Sequence, residues 1–316
     1  MQKALFFIVS ALISVSAWAA NFGTSKTTKL SDATMNGVSP TAVATNETPR
    51  LSQFEMPVLK SMKLSGTDIP DGIANEHKTG IRKAPSAGTV KISGLVDAST
   101  IADNAAIELV GDANLFMDAN KTFKSITGNY SLTLSGGNIL TLNSAGGYAI
   151  DALSVTISCP LVVQTSYVAV SAKSGITINS SVNATSTNTC IGTVNGTITI
   201  NADVTATTSS SAAILNRGLE NSGDIVINKG TVTAIGGNTG IWAYGIAAMG
   251  HITAKEGTVI HASGGTGICA ETGNIHLAGE VTANANGDDG SGVYTMAGEV
   301  SLSTISISSS GVGISA

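Results

Sequence analysis

Ser174-Gly175-Ile176-Thr177-Ile178 returns as Gly196-Thr197-Ile198-Thr199-Ile200, Gly223-Asp224-Ile225-Val226-Ile227, Gly250-His251-Ile252-Thr253-Ala254, Gly273-Asn274-Ile275-His276-Leu277 and Gly298-Glu299-Val300-Ser301-Leu302. The starts at 174, 196, 223, 250, 273 and 298 lie 22, 27, 27, 23 and 25 residues apart. Each unit opens on a turn residue, usually Gly, and then alternates apolar and polar positions at the period of a strand. A second strand follows in every unit with a large and then a small inward residue: Val182/Ala184, Val204/Ala206, Val232/Ala234, Ile260/Ala262 and Val281/Ala283, closing on Ile305/Ile307. A third, less regular strand is marked by Ile191, Ile246, Ile268, Val293 and Val312, usually beside a glycine (Gly245, Gly267, Gly292, Gly311).

Three short strands in about 25 residues match one coil of a solenoid. Stacked coils place like residues above one another at roughly 4.8 Å, which explains the columns. The predicted fold is all-β, a right-handed parallel β-helix with 22–27 residues per rung over residues 88–316. A sandwich needs no fixed large-then-small order in each unit. A membrane barrel needs longer strands and aromatic girdles, which 4% aromatics cannot furnish. Upstream, Leu132-Thr133-Leu134 with Ile139-Leu140-Thr141-Leu142, then Val155-Thr156-Ile157 with Leu161-Val162-Val163 and Val168-Ala169-Val170, read as irregular earlier coils. The stretch from Val90 to Ile126 is expected to start the helix, with a cap over its first open edge. At the far end the pattern runs into Gly313-Ile314-Ser315-Ala316 uncapped, which implies a covering partner or an incomplete sequence.

Composition agrees with this architecture. Of 316 residues only 12% are charged, and 36 are glycine. Ser, Thr and Asn compete with the helix backbone and Gly weakens it, so a helical chain is excluded. A net charge of -5 from 16 basic and 21 acidic residues argues against nucleic acid as a partner, which calls for a clustered positive face.

The first residues read as an address. Lys3 supplies a basic start, Ala4 to about Val15 an apolar run, and Ala17-Trp18-Ala19 a small-x-small site, so a signal peptide over 1–20 with cleavage near Ala19 and Ala20 is expected. The run is short of a bilayer span, and no later apolar run is long enough to span, so no transmembrane segment is expected after signal removal. Residues 21–87 hold five of the six prolines (Pro40, Pro49, Pro57, Pro70, Pro85), with eight basic and six acidic residues and no periodicity. Such a stretch buries too little to offset its ordering entropy and is read as a disordered linker, with a propeptide or partner-binding arm as the competing reading.

The runs Gly175-Ile176-Thr177-Ile178-Asn179 and Lys229-Gly230-Thr231-Val232-Thr233-Ala234-Ile235-Gly236-Gly237, behind an exported Pro-rich lead, resemble secreted bacterial parallel β-helix proteins. Within that group the likeness is nearest to the non-catalytic carbohydrate-binding β-helix proteins related in fold to pectate lyases, and Arg82-Lys83-Ala84-Pro85 is similar to the lead of exported proteins of the Bacteroides type. The resemblance covers roughly residues 128–316 and is one of coil grammar. It implies a fold and transfers no catalytic residue.

Catalytic constellations are sparse. A lyase or hydrolase on such a fold needs acids on neighbouring coils with a basic group beside them. From Ser174 onward there are three basic residues, Arg217, Lys229 and Lys255, and nine acidic ones. Asp203 and Glu280 share a column three coils apart, and Glu220 and Glu271 lie two apart. Asp288-Asp289, in a turn between Asn286-Gly287 and Gly290, is the one adjacent pair and a candidate for calcium, against the plainer reading of a solvated turn; no other cofactor is expected. His251 and His276 lie on a diagonal and His261 takes the place of Thr in its column, so solvent-facing histidines are expected rather than metal ligands.

Cys159, Cys190 and Cys269 are an odd set in an exported chain. Cys190 and Cys269 fall on third strands three coils apart, roughly 14 Å, beyond bridging distance, so no disulfide is expected. The ligand hint is aromatic. Trp242 and Tyr244, in Gly240-Ile241-Trp242-Ala243-Tyr244-Gly245, with Tyr294 two coils on, are candidates to stack on sugar rings. The competing reading has Trp242 packing a bulged corner. The expected function is a secreted or cell-surface, non-catalytic binding or adhesive scaffold for a polysaccharide or surface glycan. The alternatives are a polysaccharide-degrading enzyme with acids among Asp97, Asp103, Glu108, Asp112, Asp118 and Asp151, and an autotransporter-like passenger or structural surface protein.

Overall fold

The computed structural model describes residues 81–83, 88–218, 223–237, 243–286, 290–309 and 312–316. The expected signal peptide, nearly all of the linker, Trp242, Asp288 and Asp289 lie outside the described residues. The chain forms a parallel β-solenoid of about nine turns, each turn giving one strand to each of three stacks.

The first stack carries the repeat that decides the fold. Ile176–Ile178 pairs in parallel with Ile198–Ile200, which pairs with Ile225–Ile227 and then Ile252–Ala254. Register runs Ile176↔Ile198↔Ile225↔Ile252↔Ile275↔Val300, so each motif sits directly over the last. The second stack keeps the large-then-small order: Val182↔Val204↔Val232↔Ile260↔Val281 lies beside Ala184↔Ala206↔Ala234↔Ala262↔Ala283, and all ten side chains are buried. In the earlier coils the small column is filled by Leu142 and Val163, with Phe123 above them, so the interior there is packed by larger groups. One continuous apolar core runs from Ile92 to Val293. Area removed from water is the driving term, at about 25 cal/mol per Å².

The third stack aligns Val170, Ile191, Ile214, Ile246, Ile268 and Val293 inward. The last coil corrects one expectation. Val293 pairs with Ile314, and Val312 pairs with Ser291 and is 52% exposed. Two Gly-apolar pairs, Gly311-Val312 and Gly313-Ile314, read alike in sequence. Stacking on Val293 selects the second.

That third column also explains its glycines. The residue before the inward side chain is Cys190 and Ala213 in earlier coils and Gly245, Gly267 and Gly292 in later ones. There Val259–Gly264 turns almost at once into Thr266–Ala270. A Cβ on Gly267 would lie 2.6 Å from the Gly292 carbonyl oxygen, so the close approach of two backbones excludes any side chain.

Corners absorb the variation in coil length. In the coil opened by Ile198–Ile200 the longest interval between strands separates Ile214–Asn216 from Ile225–Ile227. In the next coil the longest interval separates Thr231–Ile235 from Tyr244–Ala248. At the start, Ile81–Lys83 pairs antiparallel with the strand Thr89–Asp97 and covers the open edge of the first coil. This strand falls in the stretch read as linker, and it is the blunting device that an exposed parallel edge requires.

Candidate functional site

Corner backbone groups lack ladder partners, and side chains of neighbouring coils supply them. Asp112 Oδ1 accepts the Ser131 N–H at 2.8 Å, Asn120 Oδ1 that of Ile139 at 2.8 Å, and Asp203 Oδ1 that of Thr231 at 2.8 Å. A relay climbs the C-terminal coils. Asp224 Oδ1 accepts from His251 N–H, His251 Nδ1 from Asn274 N–H, and Asn274 Oδ1 from Glu299 N–H, at 2.8, 2.8 and 3.0 Å. A second column is an amide ladder: Asn228 donates to Asn201 and Asn201 to Asn179, each at 2.8 Å. Sequence reasoning passed over both columns, although the residue after each Gly start and the Asn after each Ile-x-Ile signal them.

These roles occupy most of the acids set aside for catalysis. Besides Asp112, Asp118 accepts from the Ser99 hydroxyl and backbone, and these bonds hold its carboxyl below the usual carboxylate range. Asp103 faces Lys121 at 3.6 Å, and Glu108 faces Lys91 at 3.3 Å. Among the described residues no group of three His, Cys, Asp or Glu side chains is placed to hold a metal ion. His261 and His276 are exposed.

Tyr244 and Tyr294 are both half-buried, packed on an outward apolar patch of Ala212, Leu215, Ala247 and Cys269. Tyr244 lies against the Cys269 thiol, and burial pushes the Tyr244 hydroxyl and the Cys269 thiol each up to about 12. The structure therefore brings these two tyrosines onto one patch, with much of their ring surface covered by their own sheet. The thiols of Cys159, Cys190 and Cys269 are all buried and free. Cys159 sits in the turn before Leu161–Thr165, and Cys190 packs against the Ser186 hydroxyl at 3.2 Å.

The most developed surface on the third stack was not singled out from sequence. Tyr148 opens the strand Tyr148–Ala152, and Tyr167 immediately precedes Val168–Ala172 one coil later. Their rings meet edge to face, 5.2 Å between centroids at 84°, and they remain 38% and 41% exposed. Burial, then the Tyr167 phenol beside it, pushes the Tyr148 hydroxyl above its ordinary value. Gly147, at φ +84°, sets the turn into Tyr148, and Thr165 Oγ1 ties that turn by donating to the Gly147 carbonyl at 2.9 Å.

From this pair a concavity of about 120 Å³ extends over Ser171, Thr189, Gly192 and Leu215 to Arg217. Gly192 stands where the same column holds Ser171 and Leu215, which deepens the floor. A second concavity of about 430 Å³ shares Leu215 and Arg217 and continues to Ala247, Met249 and Glu271. Arg217 is exposed at their junction. Its position is set from beneath: its N–H donates to the Thr193 carbonyl at 3.0 Å. The preceding Asn216 points inward, fully buried, donating to the Gly196 and Asp224 carbonyls at 2.8 Å each. From the Tyr148 coil to the Glu271 coil is five steps, roughly 24 Å at the strand spacing.

Fold and surface together define a β-solenoid scaffold with two concavities that succeed one another along the stacking direction and share Leu215 and Arg217. Comparison with protein-family models, with curated proteins and with solved structures finds no match.

Proposed function

We propose that this chain is an exported, non-catalytic scaffold that binds an extended glycan along the outer face of its third sheet. The observation that carries this reading is the pair of joined concavities that begins at the exposed Tyr148–Tyr167 pair. An aromatic face flanked by Ser171, Asn188 and Thr189 matches the two sides of a sugar, with apolar C–H faces for stacking and hydroxyls for hydrogen bonding. The other concavities differ. That of Asn143, Gln164, Thr165, Thr185 and their neighbours, for instance, has no aromatic wall. Export rests on the basic, apolar and small-residue order of residues 1–20. The non-catalytic reading is supported by the acids of the early coils, which serve corner backbone groups and ion pairs.

Retention on a panel of immobilised polysaccharides tests the proposal. Tyr148→Ala and Tyr167→Ala should each weaken retention several-fold while the protein stays folded at the assay temperature, since a stacked ring contributes about 1 kcal/mol. Release of new reducing or unsaturated ends would replace the scaffold with an enzyme. Retention unaffected by both variants would move the ligand off this face.

A further inference from the structure

Resting on the glycan reading, we infer that the groove selects a linear acidic polysaccharide, engaged along the interior of its chain, with Arg217 as the contact for a uronate carboxylate. Three observations converge on it. Arg217 is the residue common to both concavities at their shared edge, together with Leu215, so any ligand long enough to occupy both passes its guanidinium. Among the described residues the ion pairs are Lys91–Glu108 and Lys121–Asp103, which leaves Arg217 without a carboxylate partner there. The groove also follows the stacking direction, for roughly 24 Å over five coil steps, and the solenoid continues past it on both sides.

A guanidinium presents a planar fork of donors that matches a carboxylate in two parallel hydrogen bonds, a geometry that hydroxyls alone do not exploit. Arg217 is held for that task by its own N–H bond to Thr193 and by the buried Asn216 beside it, while its head remains in solvent. On one side the Tyr148–Tyr167 pair offers a ring to stack on. On the other, Glu271 and the Asn216–Gly218 backbone offer acceptors for hydroxyls. At roughly one pyranose ring per coil step, the groove takes about five rings, with the charged unit near its middle. Chain-interior binding follows, because recognition centres on Arg217 and both ends of the ligand lie along the sheet.

The full-length protein is titrated by calorimetry with alginate and polygalacturonate oligomers of increasing length, and with the same oligomers after reduction of their carboxyl groups. Affinity for the acidic oligomers should rise with length to about five units and then level off. It should fall with added salt, and exceed that for the reduced oligomers by about tenfold. Arg217→Gln should remove that preference, bringing the acidic oligomers to the affinity of the reduced ones measured on the same variant, and Arg217→Lys should restore part of it. Equal binding of acidic and reduced oligomers by the unaltered protein, still weakened several-fold by Tyr148→Ala, would overturn the acidic specificity and leave the glycan reading intact. A preference for acidic oligomers that survives Arg217→Gln would overturn the role of Arg217. Absence of binding to every oligomer and polymer would overturn the glycan reading itself.

Discussion

Val232 and Thr233 are neighbours on one strand and carry opposite burdens. Val232 is fully buried between Val204 and Ile260, while Thr233 faces outward between Thr205 and His261. Val232→Asp places an unpaired charge among packed methyl groups and should cost several kcal/mol, unfolding the coils on either side. Thr233→Lys should change stability by no more than about 0.5 kcal/mol, and thermal melts of both variants check the pair. Ionisable groups held neutral by burial add a pH dependence. Cys159 is pushed up to about 11, and Cys269 and Tyr244 to about 12. Above about pH 9 the unfolded chain releases these protons and the folded chain retains them, so folding loses stability as pH rises through 9 to 12. Denaturant melts across that range should show the decline, and Cys159→Ala with Cys269→Ala should flatten it. A slope unchanged by both would mean that these thiols are not shielded.

An element of this fold is a strand together with the corner that turns it into the next. Strands were readable in advance because each inward column repeats one side-chain size, as Val204, Val232 and Ile260 do beside Ala206, Ala234 and Ala262. Corners were not, because their partners come from the coil above or below and leave no periodicity within a unit. Asn216 illustrates the difference. It follows Ile214-Leu215 as an ordinary polar residue, yet it lies fully buried in the inward column between Thr193 and Ala248 and bonds two carbonyls. Removing it takes the side-chain donor from the Gly196 carbonyl, while the Asp224 carbonyl keeps the Ile198 N–H at 3.0 Å. Asn216→Ala should therefore cost about 1–3 kcal/mol and loosen the third-to-first corner, measured by amide exchange at Gly196 and Asp224. Asn201→Ala, in the partly exposed ladder between Asn179 and Asn228, should cost less, because water replaces its bonds. The same reasoning explains why Tyr148, Tyr167 and Arg217 were not grouped from sequence. They belong to different coils and different corners, and only the stacking of Val168 on Tyr148 and of Leu215 on Gly192 places them on one surface. Tyr244 and Tyr294 were found from sequence because they are aromatic, and the structure sets them partly under cover on Cys269.

At the scale of the whole molecule, stacking makes the solenoid close to one-dimensional, with each coil stabilised by its two neighbours. This geometry turns point features into lines. A column of alanines becomes a seam of core, a column of asparagines becomes a ladder, and a small residue beside two tyrosines becomes the floor of a groove. The second stack offers a second line, the outward Asn183, Thr205, Thr233, His261 and Thr282, which is hydroxyl-rich and interrupted by one imidazole. The two faces make competing claims on any repetitive ligand, and backbone amide shifts of the isotope-labelled protein separate them. Titration with the best-retained oligosaccharide should move the amides of Tyr148, Tyr167, Gly192, Leu215 and Arg217 and leave those of Asn183, Thr205 and Thr233 in place. Shifts confined to the second sheet, or none at saturating ligand, would contradict a glycan site on the third.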